Sequence, residues 1–436
     1  MQTNETRGMY TMKKWMILFL LFILYAINFI DKGMIGVSSV LIMKEFGLTY
    51  AQWGLVGSSF YWLFFIMSFI GGALSDRIGP KKMLAYMAII WAFAQFIPIL
   101  SSSVLVLLMS RLLLGIGEGP TLPVAINQIN RWFPQPQRGM ATYVITLGAI
   151  LGSVCFPIMV TVVSSYGWRV AFIVTSLASL IWLVLWLIVS KGKEPHFPSK
   201  TAGEKNHEKL HWDQWWAAVR SPSFLFPALA LFATNWTVSF ELSFLPNYFT
   251  EVKGLTSKEL GTVMAIAGLG GALVGIPLTL LSDLIFKKTG KYKTSRVLFS
   301  SCGIIVAGLG FASITLAHST GMMILGYGLE SAFLALLIAN VPQIIMTAMP
   351  SRPGTIVGLA LGLGGTAGII GPIVTGKIIE STGASVSVGF GNALLVIAIL
   401  CTIAGLLLAL FTKPDSLHLI KGKSDINNDA EKISIN

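Results

Sequence analysis

Charge is what this chain has least of: 11% of its 436 residues are Asp, Glu, Lys or Arg. Soluble globular domains carry about 25%, so the scarcity excludes an ordinary soluble enzyme or binding module. Cysteine is scarce too. Cys155, Cys302 and Cys401 all lie in apolar runs. They have neither the count of a disulfide framework nor the spacing of a metal cluster; they read as small packing residues, and no metal site is expected. The five histidines, His196, His207, His211, His318 and His418, fall in loops, helix ends or the tail. A proton moved within the apolar part of the chain would therefore have to ride on a carboxylate. No polar stretch is long enough for a soluble catalytic or DNA-binding domain, and no nucleophile–base set is present, so the chain does not read as an enzyme. The net charge of +12 does not point to nucleic acid either, because the basic residues fall in alternate loops, the positive-inside signature.

What is abundant is apolar sequence, with 54% hydrophobic residues and a mean hydropathy of +0.75. A spanning helix needs about 20 mostly apolar residues. Twelve segments meet that requirement: 15–37, 54–74, 83–100, 104–126, 139–163, 170–190, 224–249, 261–285, 297–317, 322–347, 354–379 and 388–411. The run from Trp15 to Ile30 follows Lys13 and Lys14 but ends in no small-residue cleavage site, so it reads as a retained helix rather than a signal peptide. Residues 191–222 form the one composition break, rich in Lys and Glu and closing on Trp212, Trp215 and Trp216, an interfacial belt pattern. The division is an N-terminal six-helix bundle over 1–190, a cytoplasmic central loop over 191–222, a C-terminal six-helix bundle over 223–412 and a cytoplasmic tail over 413–436. Even helix number and the placement of Lys and Arg put both termini in the cytoplasm. The expectation is an all-α, multi-pass protein of the cell inner membrane, with the lipid bilayer as its surroundings.

The halves echo each other. Gly72-Ala-Leu-Ser-Asp76-Arg77-Ile-Gly79-Pro-Lys-Lys82 follows the second segment, and a degenerate copy, Leu281-Ser282-Asp283 with Lys287 and Lys288, follows the eighth. Such repeats are expected about an axis along the membrane normal. The fifth and eleventh segments are rich in glycine, which lets helix backbones approach closely. Four ionisable residues lie inside apolar runs: Asp31 and Lys32 in the first, Arg111 and Glu118 in the fourth. A charge at membrane depth costs a few kcal/mol and usually marks an ion or substrate path. Glu241 and Glu330 are the second half's candidates, read here as carboxylates facing water in an outer vestibule.

With these motifs the chain resembles a major facilitator superfamily transporter. The stretch Gly72–Lys82 is similar to that superfamily's signature between helices two and three. The resemblance implies the twelve-helix, two-bundle pseudo-symmetric fold, a monomer, and a conformational latch at Gly72, Asp76, Arg77 and Gly79. Within the superfamily the chain looks most like the anion:cation symporters, which move organic acids such as sugar acids with protons. Asp31-Lys32, the run Arg111 to Pro120 with Arg131-Trp-Phe-Pro134, and Pro246-Asn-Tyr248 carry that likeness. The chain departs from the family at Lys32, where Arg is usual, and at Ala149, Leu361 and Phe64, where hydrogen-bonding residues are common. Tyr61, one turn from Phe64, is the remaining hydroxyl. These losses favour a less hydroxylated acid.

Helical rise places Asp31 and Arg111 at one level, each about 16 residues and roughly 24 Å from its helix's inner end. Glu118 is two turns from Arg111 on the same face, and Lys32 is turned by about 100° from Asp31. Arg111 stays charged and can grip a carboxylate bidentately, and Lys32 can add a point charge. Asp31 and Glu118 are the candidate proton carriers. Asn235 and Asn340 could line the second half of a cavity. The expected function is proton-coupled symport of a small organic anion, a sugar acid or other carboxylate, by alternating access. The co-substrate read here is H⁺, with the proton gradient as driving force and no cofactor. The alternative is a proton-coupled exporter of amphipathic or cationic compounds on the same fold.

Overall fold

The computed structural model describes residues 4–100, 103–192, 212–349, 352–383 and 385–413. The central-loop residues 193–211, the tail from 414 onward, and His196, His207, His211 and His418 lie outside the described residues. The described residues form helices and connections, with no strand among them. Twelve helices are long and apolar enough to cross a membrane: α1 Thr11–Val37, α2 Tyr50–Ile78, α3 Pro80–Leu100, α4 Val104–Trp132, α5 Gln135–Tyr166, α6 Trp168–Val189, α7 Pro222–Ser243, α8 Ser257–Thr289, α9 Lys293–Leu316, α10 Thr320–Met346, α11 Gly354–Ser381 and α12 Val386–Phe411. Each coincides with one expected segment. Most run a few residues further, because polar cap and signature residues extend the helices beyond their apolar runs.

Local chemistry explains several ends. Thr49 caps α2 in a capping box: its hydroxyl accepts from Gln52 N at 3.3 Å, and Gln52 Oε1 accepts from Thr49 N at 3.0 Å. Gly79, at φ +90°, makes the α2–α3 turn, and Pro80 starts α3 where no donor is lost. Two features were not expected. The first helix ends at Val37, as its segment does, but a short helix, Ser39–Phe46, follows it, closed by Gly47 at φ +62°. The seventh stops at Ser243 rather than 249; Phe244 leaves helical geometry and Pro246 lies in the short helix that follows.

Contacts group the helices into two compact units. One holds the described residues of Met1–Asn206, Val238–Leu269 and Gly368–Ala393; the other holds those of His207–Thr237, Gly270–Ala367 and Leu394–Asn436. The first unit is cored by tryptophans. Trp53, Trp91, Trp132, Trp182 and Trp186 are fully buried. The Trp182 and Trp186 rings stack at 5.3 Å, and their indoles donate to Leu20 O at 2.7 Å and Lys81 O at 3.0 Å. A buried indole usually finds such a partner, and here the partners tie α6 to α1 and α3.

Candidate functional site

The site is built by glycine. Gly115 and Gly119 share one face of α4, and the carbonyls of Phe60 and Phe64 in α2 occupy the space a Cβ would need. Gly117 points elsewhere: a Cβ there would lie 2.5 Å from Trp91 Cδ1 and 2.8 Å from Ile90 Cγ2 of α3. The Gly-x-Gly-x-Gly run is therefore a two-sided packing device that seats α4 against α2 and α3. On α5, Gly152 does the same towards α1, where a Cβ would fall 2.8 Å from both Ala26 O and Phe29 Cβ.

This packing brings α1 and α4 together at their charged residues. Asp31, Arg111 and Glu118 are buried, whereas the Lys32 side chain keeps 15% exposure. Lys32 is thus the member of the set that retains access to the surroundings. Lys32 Nζ donates to Asn28 Oδ1 at 2.7 Å and lies 3.9 Å from Glu118 Oε2. Asn28 Nδ2 donates to Thr121 Oγ1 at 3.4 Å, and the Thr121 hydroxyl donates to Glu118 O at 2.5 Å. Asp31 turns the other way, as its 100° offset requires, towards Gln95 of α3 and Thr175 of α6, with Arg111 and Lys32 in electrostatic reach. Neither carboxyl oxygen of Asp31 or Glu118, nor Arg111 Nε or Nη1, has a hydrogen-bond partner within 3.5 Å among the described residues. Buried polar groups left open are costly, so this set has capacity for an incoming anion at the guanidinium and for a proton at the carboxyls.

Aromatic faces complete the surroundings. Lys32 Nζ lies 5.1, 6.0 and 4.9 Å from the ring centres of Phe29, Phe60 and Phe64, and Arg111 Cζ lies 5.9 Å from that of Phe60. Each such contact is worth about 0.5–2 kcal/mol. Phe64 therefore faces the cation directly. Tyr61 is within electrostatic reach of Arg111, Glu118 and the half-buried Glu241. The structure thus brings together Asp31, Lys32, Arg111, Glu118 and Tyr61. Asn28, Gln95, Thr121, Thr175 and Phe60 join them without having been singled out; Asn28 and Gln95, polar residues inside apolar runs, were the available signal.

The remaining candidates lie elsewhere. Asn235 is half-buried and donates to its own helix at Leu231 O, 2.8 Å away. Asn340, expected to line a cavity, is fully buried: its Oδ1 accepts from Arg296 Nη1 at 2.8 Å and its Nδ2 donates to Ser282 Oγ at 3.0 Å. Arg296 also bonds Ser282 Oγ at 3.0 Å and pairs with Asp283. The degenerate second copy of the signature is thus a dense network, and Asn340 belongs to it. Glu330, expected to face an outer vestibule, is fully buried, taking a hydrogen bond from Ser331 Oγ at 3.3 Å with Cys401 in electrostatic reach. At the first copy, Asp76 Oδ1 accepts from Asn127 Nδ2 of α4 at 2.8 Å, and Asn127 reaches Ser75 Oγ at 2.9 Å. Gly72 abuts Pro123 of α4, where a Cβ would sit 3.4 Å from Pro123 Cβ, while Arg77 is exposed.

Comparison with known proteins identifies the family. The family model described as Major Facilitator Superfamily matches residues 21–315. The "Probable sulfoacetate transporter SauU" of Cupriavidus necator is 32% identical, over 84% of this chain and 88% of that protein. The hexuronate transporter of Bacillus subtilis is 29% identical over 93% and 96%. The D-galactonate transporter of Escherichia coli O6:H1 is 26% identical over 90% and 94%. Among solved structures, a bacterial homologue of the human lysosomal transporter Spinster, inward-facing and unoccupied, superposes with a TM-score of 0.76 at 20% identity, covering 92% of this chain and 97% of that one. The D-xylose-proton symporter gives a TM-score of 0.72 at 14% identity, covering 92% and 98%. The named curated relatives are transporters of organic acids.

Proposed function

The chain belongs to the Major Facilitator Superfamily, a multi-pass transporter of the cell membrane and not an enzyme, and on that premise we propose that it carries a small organic anion in symport with a proton. The observation that carries the reading is the four-charge set on α1 and α4: two cations and two carboxyls, three of them buried and Lys32 partly open. In this reading Lys32 and Arg111 hold the anion. Arg111 offers open guanidinium N–H groups, and Lys32 can leave Glu118, 3.9 Å away, for the substrate. A carboxyl is neutral with its proton and anionic without it, and a dry site favours the neutral form, so in this reading Asp31 and Glu118 take up and release the coupled proton. The two six-helix halves, 1–190 and 223–412, rock about this site, with both termini in the cytoplasm and the chain working as a monomer. Asp76, with Gly72, Arg77 and Gly79, latches one end through Asn127.

The substrate follows from the walls. Phenyl rings at positions 29, 60 and 64 surround Lys32, and of the few hydroxyls beside the set that of Thr121 is already spent on Glu118 O, with Thr175 beside Asp31 and Tyr61 in electrostatic reach of Arg111. A poly-hydroxylated acid would leave hydroxyls unmatched against these rings. A short, hydroxyl-poor acid fits better, and sulfoacetate, named for the Cupriavidus relative, is such a compound. The exporter alternative drew on Glu241 and Glu330; Glu330 is sealed inside its helices, which removes half of that support.

The test is uptake into proteoliposomes under an imposed pH gradient, comparing sulfoacetate, hexuronate, galactonate and a cationic amphiphile. Gradient-dependent accumulation of the acids, strongest for the hydroxyl-poor one, is expected. Transport of the cationic compound with no acid accumulated would sink the reading.

A further inference from the structure

One end of the first compact unit is closed by a seam between helices far apart in sequence. Gly36 of α1 meets Leu242 O of α7, and Gly54 of α2 meets Pro372 O of α11, with no room for a Cβ at either glycine. Gly376 of α11 meets Tyr50 O in the same way. A Cβ on Gly57 would fall 2.6 Å from Ser243 Oγ, and one on Gly261 of α8 would fall 2.9 Å from Pro157 Cα of α5. Backbone lies on backbone along this line.

Two helix ends within the seam are completed by residues from across it. The first turn of α2 has amides that no residue within the helix can satisfy. Thr49 takes those of Gln52 and Trp53, at 3.3 and 2.9 Å. Ala51 N donates instead to Glu380 Oε2 of α11 at 3.0 Å, and Tyr50 OH bonds the Glu251 carboxylate. Two carboxylates from the second half of the chain thus meet the positive end of α2, where negative charge is favourable. In the other direction, the fully buried Trp53 donates its indole N–H at 2.8 Å to Ser243 O, the last residue of α7 before its break. Asn247, just past the break, bonds Ser39. The seam reaches the charged site, since a Cβ on Gly368 of α11 would lie 2.6 Å from the Tyr61 ring.

We propose that Glu380 and Trp53 form a reciprocal cap that gates this end of the transporter: Glu380 of α11 caps α2, and Trp53 of α2 holds the broken end of α7. The proposal goes beyond the transport reading but rests on it, because rocking halves must break these contacts in every cycle. The cap suits that task. When the seam opens, water replaces Glu380 at the Ala51 amide and Trp53 loses its buried packing, so both helix ends are released in one event. Glu380 and Trp53 are positioning residues here, acting on helix ends rather than on substrate.

The experiment is amide hydrogen exchange of the full chain in lipid nanodiscs, which needs no substrate and so succeeds or fails independently of the anion and of proton coupling. Glu380→Ala is expected to speed exchange about fivefold in residues 50–53, the effect of losing one helix cap. It should speed exchange in residues 242–249 to a similar degree, although Glu380 does not touch them. Trp53→Phe keeps the ring packing and loses the indole N–H. It should show the same paired response, and it carries the test should Glu380→Ala loosen the whole bundle. Faster exchange confined to the mutated residue's own neighbours, with the partner segment unchanged in both variants, overturns the proposal.

Discussion

The two compact units bury charge in different ways. In the first, Asp31, Arg111 and Glu118 are buried around the partly open Lys32 on α1 and α4. In the second, the buried charges among the described residues are Arg296, at the start of α9, and Glu330 in α10. Arg296 has both terminal nitrogens engaged by Ser282, Asn340 and Asp283, and its Nε is left without a partner among the described residues. Arg111 keeps two nitrogens without a protein acceptor. Both arginines are buried with an open Nε, but Arg296 has both terminal nitrogens engaged within its own unit, whereas Arg111 keeps Nη1 open as well. The difference teaches that burial of a charge does not by itself mark a site; the open valences do.

The largest test of that contrast is at Arg111. Arg111→Gln should lower transport about 100-fold or more, as truncation of a buried charge partner does. It should also destabilise the fold by about 3 kcal/mol, because it leaves two buried carboxyls facing one cation. Arg111→Lys should recover stability ahead of transport, since the point charge returns without the planar fork. Uptake and thermal melting, measured on the same preparations, separate the two effects. Arg296→Met should show the reverse balance. Losing its three partners should destabilise by about 3 kcal/mol, while the pH dependence of the remaining uptake stays that of the parent. A changed pH profile would mean that the second unit's charges also handle protons.

The smallest effect is expected at the clamp joining the short helix Ser39–Phe46 to α6. The Glu45 carboxylate accepts from Trp168 Nε1 at 2.7 Å and from Arg169 at 2.6 and 2.9 Å. Hydrogen bonds from Arg169 and Trp168 hold it below its ordinary value of 4.5. A carboxyl with a depressed folded value stabilises above its unfolded value, and the contribution is lost as pH falls through the folded one. The pair is partly exposed, so its contribution is below about 1 kcal/mol. Glu45→Gln should lower the melting temperature slightly at neutral pH, and the difference should close on acidification below 4.5. A difference that persists in acid would place the effect in packing.

All twelve spans were legible, because each needs only a long apolar run. So was the split direction of Asp31 and Lys32, which follows from helical rotation. The short helix Ser39–Phe46 and the break after Ser243 were not, because the apolar runs continue through both; Trp53, distant in sequence, meets the second. The network of Asn340 with Arg296 and Ser282 was not legible, because a polar residue on a membrane helix looks the same whether it faces a cavity or a buried arginine. The burial of Glu330 was not legible either, because it depends on how its helix packs. The glycines of the fifth and eleventh segments read as packing residues; those of α4 did not, because their fit against Phe60 and Phe64 depends on a neighbouring helix that spacing alone cannot name.

The central claim is that Glu118, paired with Lys32, couples proton to anion. The direct measurement compares Glu118→Gln with the parent in two assays on the same proteoliposomes: anion exchange at equal pH, and accumulation under a pH gradient. The account predicts that exchange persists while gradient-driven accumulation is lost. Undiminished accumulation in the Gln variant would contradict it.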